Sequence, residues 1–513
     1  MMDSNRAERN SCGLFFRLRV ALRLIFDLRP HDFRAAATFM SKTFSSDIFP
    51  VRLYRFFLWS FRQVFIVIPE AMTTVTFNRK VSRTPFWLIT ENPLANYPWS
   101  SQPEANLPDQ CEVVVIGAGF TGAGCAYFWS KQQAKSMAVL EMDDPASGAS
   151  GRNGGEIVMG RYFAMVKKTV TTYLDKVRPD LSEKERKQLS SKFASVYTKS
   201  AYKNGEMIEK TIEEEKIDCD YQRKGWIQGC QIEDQAALME SVRLGCEAGF
   251  DDWTTISPEE AKRQGGMNVE CPAGFSRGTA TFHPAKWVWS LLEIALRSSH
   301  VNLYTRTRVT RVEDAGDFYL VNTNRGRIKA KYVINATESY TAILHRQYGN
   351  LVHAVQTQNA YGEGGPNEMK PHVGLSNSRG FFGRQGDGIT LGSDETQINY
   401  RNAGCNNPSR FITKYVISEI HRLFGQSKIH MTHEWSGTAG FTDDEYPVIG
   451  LLDEKRQYII GGMCGSGTAV SFNGARHIVQ QILNLEGPDD YPQSYFAPTR
   501  ILDPKNHPWP SVD

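Results

Sequence analysis

The sequence predicts an α/β fold organised around one strand–turn–helix unit. A hydrophobic run at residues 113–116 leads into the glycine-rich turn GAGFTG at 117–122, and a helix-compatible segment follows. A second short apolar run, at 137–140, ends in Glu141, 19 residues after Gly122. A strand, a G-x-G-x-x-G turn and a carboxylate at this spacing are the pattern of a Rossmann-like domain that binds a dinucleotide.

Each glycine of the turn has a physical role. Gly117 permits the tight passage from strand to helix, Gly119 lets a pyrophosphate approach the backbone, and Gly122 lets the helix pack closely on its strand. The pyrophosphate would then meet the free N–H groups at the positive end of the helix. Glu141 is expected to accept hydrogen bonds from an adenosine ribose. The alternative interpretation is a chance glycine turn followed by a surface glutamate.

Length and composition limit the classes of function. With 513 residues, the chain has room for two or three domains. Residues 1–80 carry 13 Lys and Arg against 6 Asp and Glu, which leaves the remainder slightly acidic and argues against a nucleic-acid partner. The nine cysteines contain no C-x-x-C pair. They indicate reduced thiols, no zinc or other metal site, and a cytoplasmic protein, with a mitochondrial location as the alternative.

The first 83 residues are interpreted as a basic amphipathic leader and a linker. The segments 15–26 and 53–68 are apolar and aromatic with interspersed arginines, but neither approaches the roughly 20 apolar residues of a spanning helix. Residues 1–71 therefore suggest peripheral membrane contact or an organelle-targeting leader. The third interpretation is an unremarkable leader outside the true start, since Met72 is itself a candidate initiator. The sequence leaves open whether residues 1–71 belong to the mature protein.

The rest of the chain alternates predicted helices and strands. Residues 84–110 are a proline-rich loop, and 147–155 is a loop of small residues that is expected to face a ligand. The predicted helices are 181–216, 234–247, 282–297, 411–424 and 468–485, and a further helix is predicted to start at Ser257. The predicted strands are 219–231, 253–256, 301–312, 318–322, 331–335 and 458–460. Residues 351–400 suggest an antiparallel sheet, and 488–513 suggests an extended, proline-rich tail.

Several motifs follow the nucleotide turn in a fixed order. They are SGASGRNGG at 147–155, HPAKWV at 283–288, TRV at 307–309, VINATESYT at 333–341, TDDEYPVIG at 442–450 and GGMCGSG at 461–467. Together with VVVIGAGFTGAG, this set resembles the FAD-dependent amine and amino-acid oxidase family, which includes D-amino-acid oxidase, glycine and sarcosine oxidases and γ-glutamylputrescine oxidase. The resemblance extends over roughly 84–487. The SGRNGG form is most similar to the γ-glutamylputrescine oxidase branch.

The resemblance implies a Rossmann-like FAD-binding domain of the glutathione-reductase type, interleaved with an α+β substrate domain on an antiparallel sheet. The implied boundaries are 108–162, 276–345 and 436–487 for the FAD-binding domain, 163–275 and 346–435 for the substrate domain, 1–83 for the leader and linker, and 488–513 for the tail.

The resemblance also implies roles for individual residues. The pyrophosphate would be held by Gly117, Gly119, Phe120, Thr121 and Gly122. The ribityl chain and ring would be held by Ser150, Gly151, Arg152, Asn153 and Gly154. Val309 would meet the adenine through its backbone, and Glu141 would hold the ribose. The turn of Gly465, Ser466, Gly467 and Thr468 would direct a helix N-terminus at the flavin pyrimidine edge, where negative charge develops on reduction.

The sequence departs from the family pattern at three places. Ser466 stands where many members have histidine, and Glu338 stands where asparagine or glycine is usual. Residues 437–440 contain no cysteine for covalent attachment, so noncovalent FAD is expected.

The expected reaction is oxidation of a C–N bond of a small amine or amino acid by hydride transfer to flavin. Arg384 is the candidate for a substrate carboxylate, because its guanidinium matches that group bidentately. Trp435 and Tyr361 are candidate aromatic walls, and His433 is a candidate for tuning the amine's protonation. The alternatives are a surface arginine, core aromatics and a structural histidine; His283 is expected to be structural, as the start of a helix.

Two other classes of function remain open at this point. They are a nicotinamide-dependent dehydrogenase and a catalytically silent flavoprotein scaffold. The sequence leaves open the substrate, the electron acceptor and the oligomeric state.

Overall fold

The computed structural model of the chain describes residues 13–28, 32–33, 36–37, 40, 47–95, 107–132, 135–158, 163–230, 232, 235–397, 400–453, 455–485 and 491–511. Residues 1–12, most of 29–46 and residues 486–490 lie outside this part, and so do the predictions that fall on them. Within the described ranges, no helix combines the length and the apolar character needed to cross a bilayer.

The elements alternate along the chain as an α/β protein requires. The main helices are α1 (Leu14–Asp27), α2 (Phe49–Arg62), α3 (Phe120–Ser130), α4 (Phe163–Val177), α5 (Glu183–Glu215), α6 (Gln235–Glu247), α7 (Pro258–Gly265), α8 (Pro284–Ala295), α9 (Arg410–Phe424) and α10 (Gly467–Leu483). The strands are β1 (Val75–Ser82), β2 (Gln110–Ile116), β3 (Met137–Leu140), β4 (Glu156–Ile157), β5 (Trp226–Gln228), β6 (Trp253–Ile256), β7 (Ala273–Ser276), β8 (Ala280–Thr281), β9 (Val301–Tyr304), β10 (Val309–Asp314), β11 (Tyr319–Thr323), β12 (Gly326–Asn335), β13 (His353–Gly364), β14 (Gly374–Asn377), β15 (Gly380–Gln385), β16 (Gly388–Gln397), β17 (Ile429–Phe441), β18 (Val448–Leu451) and β19 (Gln457–Gly461).

Two large sheets organise the fold. The nucleotide sheet has eight strands in the order β10-β11-β12-β2-β3-β9, with β19 beside β12 and β18 beside β19. Its centre is parallel, because β12, β2, β3 and β9 run in one direction. The large sheet has nine strands in the order β1-β17-β13-β16-β15-β14-β5-β7-β6 and is mostly antiparallel. This confirms the predicted α/β architecture with a second, antiparallel sheet.

Local sequence signals place most helix starts correctly. Ser182 caps α5 through a capping box with Glu185, and Ser257 caps α7 ahead of Pro258. His283 caps α8 by accepting a hydrogen bond from the Lys286 amide, so its predicted structural role is confirmed. The predicted strand at 219–231 is shortened to β5.

The core of the nucleotide sheet extends further than the predicted domain boundaries. Phe193 and Tyr197 of α5 are buried in the same apolar cluster as Val113 and Val115 of β2. Helix α5 packs against α10 and α4, so residues 163–215 cover the nucleotide sheet, although the sequence assigned them to the substrate domain. The assignment missed this because helical periodicity shows an apolar face but not which sheet that face covers.

Residues 1–83 were assigned to a leader and linker, and the described part of this segment belongs to the body of the protein. Strand β1 pairs in parallel with β17 from the register Val75↔Ile429, and it forms an edge of the large sheet. Ile68 and Met72 are buried in the core beneath that sheet. Asp27 at the end of α1 accepts a hydrogen bond from Lys414 Nζ of α9 at 2.8 Å.

The described part of the tail is folded, which corrects the prediction of an extended segment. Two short helices, Gln493–Phe496 and Thr499–Leu502, pack on the body. Arg500 is fully buried and pairs with Asp444, with Nε–Oδ2 2.7 Å and Nη2–Oδ1 3.2 Å. Asp444 lies in the connection between β17 of the large sheet and β18 of the nucleotide sheet. The C-terminal segment therefore holds this connection, which is called the crossing between the two sheets, in place.

Candidate cofactor and active site

The glycine-rich turn between β2 and α3 is built on close backbone contacts. Gly117 adopts φ +105°, and a Cβ atom there would lie 2.6 Å from the Ala336 carbonyl oxygen. A Cβ atom at Gly122 would lie 1.9 Å from the carbonyl oxygen of Gly117. The first-turn N–H groups of α3 have no acceptor within the helix, which makes this end suited to an anion.

Glu141 at the end of β3 is buried and tied to this turn. Its Oε2 accepts a hydrogen bond from the Ala118 amide at 2.8 Å, and its Oε1 accepts from the Asp143 amide at 2.9 Å. Burial raises the pKa of this carboxyl to about 7. The carboxylate therefore shapes the turn, and its hydrogen bond to a ribose stays a prediction. The Thr307 amide donates to the Glu141 carbonyl at 2.8 Å and so brings the start of β10, at Val309, to the same edge.

The loop at 147–155 is an ordered turn held by its own side chains. Ser150 Oγ accepts a hydrogen bond from the Phe120 amide at 2.8 Å, which joins the loop to the start of α3. The Asn153 side-chain amide donates to the carbonyls of Ala149 (3.1 Å) and Ser150 (2.7 Å), and its Oδ1 accepts from the Gly155 amide at 2.9 Å. Asn153 therefore fixes the loop from within, and its side chain is engaged with protein.

Arg152 joins this loop to the large sheet. Its Nε donates to the Ser147 carbonyl at 2.8 Å, and its Nη1 donates to the Ser436 carbonyl of β17 at 3.0 Å. Burial lowers the pKa of the guanidinium. Gly151 and Gly154 complete the loop, and a Cβ atom at Gly154 would lie 3.1 Å from the ring of Phe381.

One face of the large sheet supports the loop. The Arg152 carbonyl accepts hydrogen bonds from Asn359 Nδ2 at 2.9 Å and from Trp435 Nε1 at 3.1 Å. Asn359 and Trp435 are paired across β13 and β17, so they share a face. Trp87 Nε1 donates to the Asn153 carbonyl at 2.7 Å. The structure thus brings the predicted residue Trp435 to the predicted cofactor loop, where it is fully buried.

A second row of side chains follows on the same face. Tyr361 pairs with His433 across the same strands, with ring centroids 6.3 Å apart. Phe86 stacks on Tyr361 with a centroid distance of 4.2 Å. Burial lowers the pKa of His433, and its Nδ1 lies 2.9 Å from Thr432 Oγ1. His433 and Tyr361 therefore lie beside the loop, and their predicted contact with substrate stays a prediction.

Arg384 is placed differently from the prediction. In β15, Arg384 lies three residues after Phe381, the residue that approaches Gly154, so the two side chains are on opposite faces of the sheet. Its Nε donates to the Met369 carbonyl at 3.2 Å, and its Nη2 donates to the Pro366 carbonyl at 2.5 Å. These bonds close the turn before β14 and indicate a structural role for Arg384 in place of the predicted substrate contact.

The second glycine-rich turn meets the first loop at Glu156. Gly465 adopts φ +81°, and the turn passes through Ser466 and Gly467 into α10. Thr468 Oγ1 in the first turn of α10 donates to the Glu156 carbonyl at 2.9 Å. The positive end of α10 therefore lies next to the residues that follow the 150–154 loop.

The Glu156 side chain points from this junction to the large sheet. A Cβ atom at Gly374 would lie 3.0 Å from Glu156 Oε1 and 3.2 Å from Trp226 Cδ1, so the carboxyl lies over Gly374 of β14, on the face of the sheet that the Trp226 indole shares. Burial raises the pKa of Glu156 to about 8, and a hydrogen bond from the Leu375 amide offsets part of this rise. In the part of the chain that the structure describes, no cation pairs with this carboxyl.

Glu338, which departs from the family pattern, also has a defined place. It follows β12 with φ +46°, and its Oε1 accepts hydrogen bonds from the amides of Gly440 at 2.7 Å and Met463 at 3.3 Å. Burial raises its pKa to about 7. Glu338 thus joins the end of β17 to the second glycine-rich turn. In the described residues, no group of His, Cys, Asp and Glu is arranged to hold a metal ion.

These residues fit an elongated dinucleotide. The first-turn amides of α3 suit its pyrophosphate, Glu141 lies at the strand end where a ribose is expected, and the 150–154 loop and α10 meet at the far end. The family model described as FAD dependent oxidoreductase (DAO) matches residues 112–481, well over half of the chain. This chain belongs to that family. The family indicates FAD as the cofactor and decides against the nicotinamide-dependent alternative.

Individual relatives are distant in sequence. The chain is 25% identical over 231 residues to γ-glutamylputrescine oxidoreductase of Escherichia coli K12, a match that covers 45% of this chain and 49% of that protein. It therefore spans about half the length of this relative. It is 22% identical over 351 residues to the probable oxidoreductase OrdL of Rhizobium meliloti, covering 66% of this chain and 75% of that protein.

Solved structures share the fold. Glycine oxidase from Geobacillus kaustophilus superposes with a TM-score of 0.63 and 17% identity, over 77% of this chain and 99% of that one. L-proline dehydrogenase from P. horikoshii superposes with a TM-score of 0.61 and 18% identity, over 77% of this chain and 98% of that one. These likenesses confirm the Rossmann-like flavoenzyme fold.

The sequence did not single out three residues of this site. Trp87 lies in the proline-rich segment, and Asn359 lies in a strand whose partner, Trp435, is far along the chain. Neither had a local signal. Glu156 had one, because it directly follows the SGRNGG motif.

Proposed function

We propose that this FAD-dependent oxidoreductase oxidises a C–N bond of a small amine or amino acid. The names of its relatives support this class, since they refer to γ-glutamylputrescine, glycine and L-proline. Secondary amines, D-amino acids and γ-glutamyl polyamines are the substrates that we propose to test. The family assignment makes the silent-scaffold alternative the less supported one.

The observation that carries the proposal is the buried carboxyl of Glu156. A buried carboxylate without a cationic partner is unfavourable, and this explains the raised pKa of about 8. An ammonium group bound over this face of β14, next to the carboxyl, would supply that partner. The indole of Trp226, which borders the same space, would add a cation–π contact.

Glu156 would also prepare the amine for oxidation. Only a neutral amine has the nitrogen lone pair that forms the C=N bond, so the bound ammonium must lose a proton, and Glu156 Oε1 accepts it. Bound FAD supplies the acceptor for the hydride that leaves the α-carbon. The resulting imine is hydrolysed by water to a carbonyl compound and an amine. Asn359, Trp435 and Arg152 hold the loop in place and so position the cofactor against the substrate.

We further propose noncovalent attachment and a reducing compartment. Residues 437–440 lack a cysteine, and Cys464 in the second glycine-rich turn is buried with its Sγ donating to the Gly462 carbonyl. All eight cysteines of the described ranges are free thiols, which is consistent with the cytoplasm. Acid precipitation should leave the yellow colour in the supernatant; colour retained on the pellet would contradict noncovalent binding.

The test is a turnover screen followed by a pH profile. Amines, D-amino acids, N-methyl amino acids and γ-glutamyl polyamines are assayed by peroxide release and by reduction of an artificial electron acceptor. For the best substrate, kcat/KM should rise with pH through about 8 in the wild type, because ionised Glu156 accepts the proton. Glu156→Gln should lose this rise and at least about tenfold in kcat/KM. The exposed Glu213→Gln serves as the matched control.

Two results would contradict the proposal. If no compound of these classes reduces the enzyme, the substrate class is wrong. If Glu156→Gln keeps both the rate and the pH profile of the wild type, the amine binds elsewhere.

A further inference from the structure

The exposed apolar side chains of this protein are concentrated in one place. Of the 23 large hydrophobic residues that are exposed in the described part of the chain, 16 lie between Leu14 and Ile66. Most of these belong to α1 and α2. Exposed apolar patches of this kind mark a surface that meets another apolar phase or partner.

Helix α1 has two apolar faces. One face packs on the body through Val20, Ala21 and Leu24, which are at most 8% exposed. The other face carries Leu18, Leu22 and Phe26 toward solvent, at the helical spacing of a single stripe, with Phe26 84% exposed. A helix that is apolar on both sides is expected to be covered on both sides.

Helix α2 repeats this arrangement. Its inner side contacts the body through Trp59, whose ring lies 6.0 Å from that of Tyr415 in α9. Its outer side exposes Leu53, Phe57 and Phe61, each separated by one helical turn, and none of its residues is buried. The outer faces of α1 and α2 together are called the outer apolar surface here.

The charges on the two helices are predominantly positive, although Asp47, just ahead of α2, pairs with Arg55 at 3.1 Å. The two helices contain six arginines, namely Arg17, Arg19, Arg23, Arg52, Arg55 and Arg62. Their single acidic residue is Asp27, which is paired with Lys414 of the body at 2.8 Å. A second copy of the chain would bring the same positive charges against these, whereas anionic lipid headgroups would neutralise them.

We propose that the outer apolar surface docks this protein onto an anionic lipid bilayer. The aromatic and leucine side chains enter the boundary between headgroups and acyl chains, and the flanking arginines contact the headgroups. Helices α1 and α2 lie flat in this interface and do not cross it. Because β1 pairs with β17 and Asp27 pairs with Lys414, docking also fixes the large sheet relative to the membrane.

The test uses the full-length holoprotein and vesicles. Binding to phosphatidylcholine vesicles with and without phosphatidylglycerol is measured by cosedimentation at low and high salt. The protein should bind the anionic vesicles at least tenfold more tightly than the neutral ones, and salt should weaken binding. The triple variant Leu53→Ser, Phe57→Ser and Phe61→Ser should reduce binding at least tenfold, because it removes three side chains from the apolar face.

The control is Ile343→Ser, which removes an exposed apolar side chain outside this surface and should bind vesicles like the wild type. Arg19→Ser with Arg23→Ser should lower binding to anionic vesicles by roughly fivefold for each charge. FAD content and the melting temperature show that each variant is folded. These measurements do not depend on which substrate the enzyme oxidises.

Two outcomes would overturn the proposal. The first is equal binding of the triple variant and the wild type to anionic vesicles. The second is a wild-type dimer in solution that the triple variant converts to a monomer, with no binding to vesicles, because the surface would then join two copies of the chain.

Discussion

The two sheets of this protein build their parts of the site in different ways. On the nucleotide sheet, the residues predicted to bind the cofactor come from short contiguous motifs, such as 117–122, which follows β2, and 150–154, which lies between β3 and β4. On the large sheet, the contacts come from strands far apart in sequence, as with Asn359 and Trp435. The comparison shows that the motifs predicted to bind the cofactor can be recognised from local sequence, while the contacts that the large sheet makes with them depend on strand pairing.

The largest expected effect belongs to the nucleotide turn. Gly122→Ala places a Cβ atom 1.9 Å from the Gly117 carbonyl oxygen, and backbone cannot move aside as a side chain can. We expect the variant to lose about 3 kcal/mol or more of unfolding free energy. We expect it to bind FAD about a hundredfold more weakly. FAD titration of the apoprotein measures this. Gly245→Ala in α6, where the nearest atom lies at 4.0 Å, is the control and should bind FAD normally.

The second effect tests the crossing between the two sheets. Arg500→Met leaves Asp444 buried without its partner, which should cost about 3–5 kcal/mol of unfolding free energy. Denaturant unfolding of the holoprotein measures the loss. Lys187→Met, which removes an exposed pair with Glu183, should cost about 1 kcal/mol or less. Similar losses in both variants would mean that the C-terminal segment does not hold the crossing.

A third and smaller effect is expected at Glu141. Glu141→Ala removes charge-assisted hydrogen bonds worth roughly 1.5–3 kcal/mol, so FAD binding should weaken about ten- to a hundredfold. Glu141→Gln should also weaken binding, because both carboxylate oxygens accept from amides and a glutamine nitrogen would face one of these donors. Turnover at saturating FAD should be unchanged. Wild-type FAD affinity in the alanine variant would show that Glu141 does not hold the ribose.

The last effect concerns Glu338 and the pH dependence of stability. Its pKa is raised from 4.5 to about 7, so the folded state holds this proton more tightly than the unfolded chain does. The contribution of protonated Glu338 to the free energy of unfolding is complete below pH 4.5. It is lost as the pH rises to about 7, at up to about 1.4 kcal/mol per pH unit. Melting of the holoprotein across this window should therefore show a shallower decline for Glu338→Gln. Parallel wild-type and variant curves would contradict this titration.

Sequence reasoning succeeded where structure is local. The turn at 117–122, the start of α7 at Ser257 and the start of α10 follow from residue type and spacing. It did not identify β1 as a strand of the large sheet or Arg500 as a buried residue, because both depend on partners hundreds of residues away. The face of the sheet on which Arg384 lies could not be predicted for the same reason, since strand register decides which face a side chain takes.

The central claim, that this chain binds FAD and that an amine reduces it, is tested most directly without oxygen. The purified holoprotein is mixed anaerobically with an amine that supports turnover, and the absorbance of oxidised flavin is followed together with the carbonyl product. We predict complete loss of that absorbance with a stoichiometric amount of carbonyl product, and a slower loss in Glu156→Gln. Flavin that stays oxidised with every amine and amino acid of the screen would contradict the claim.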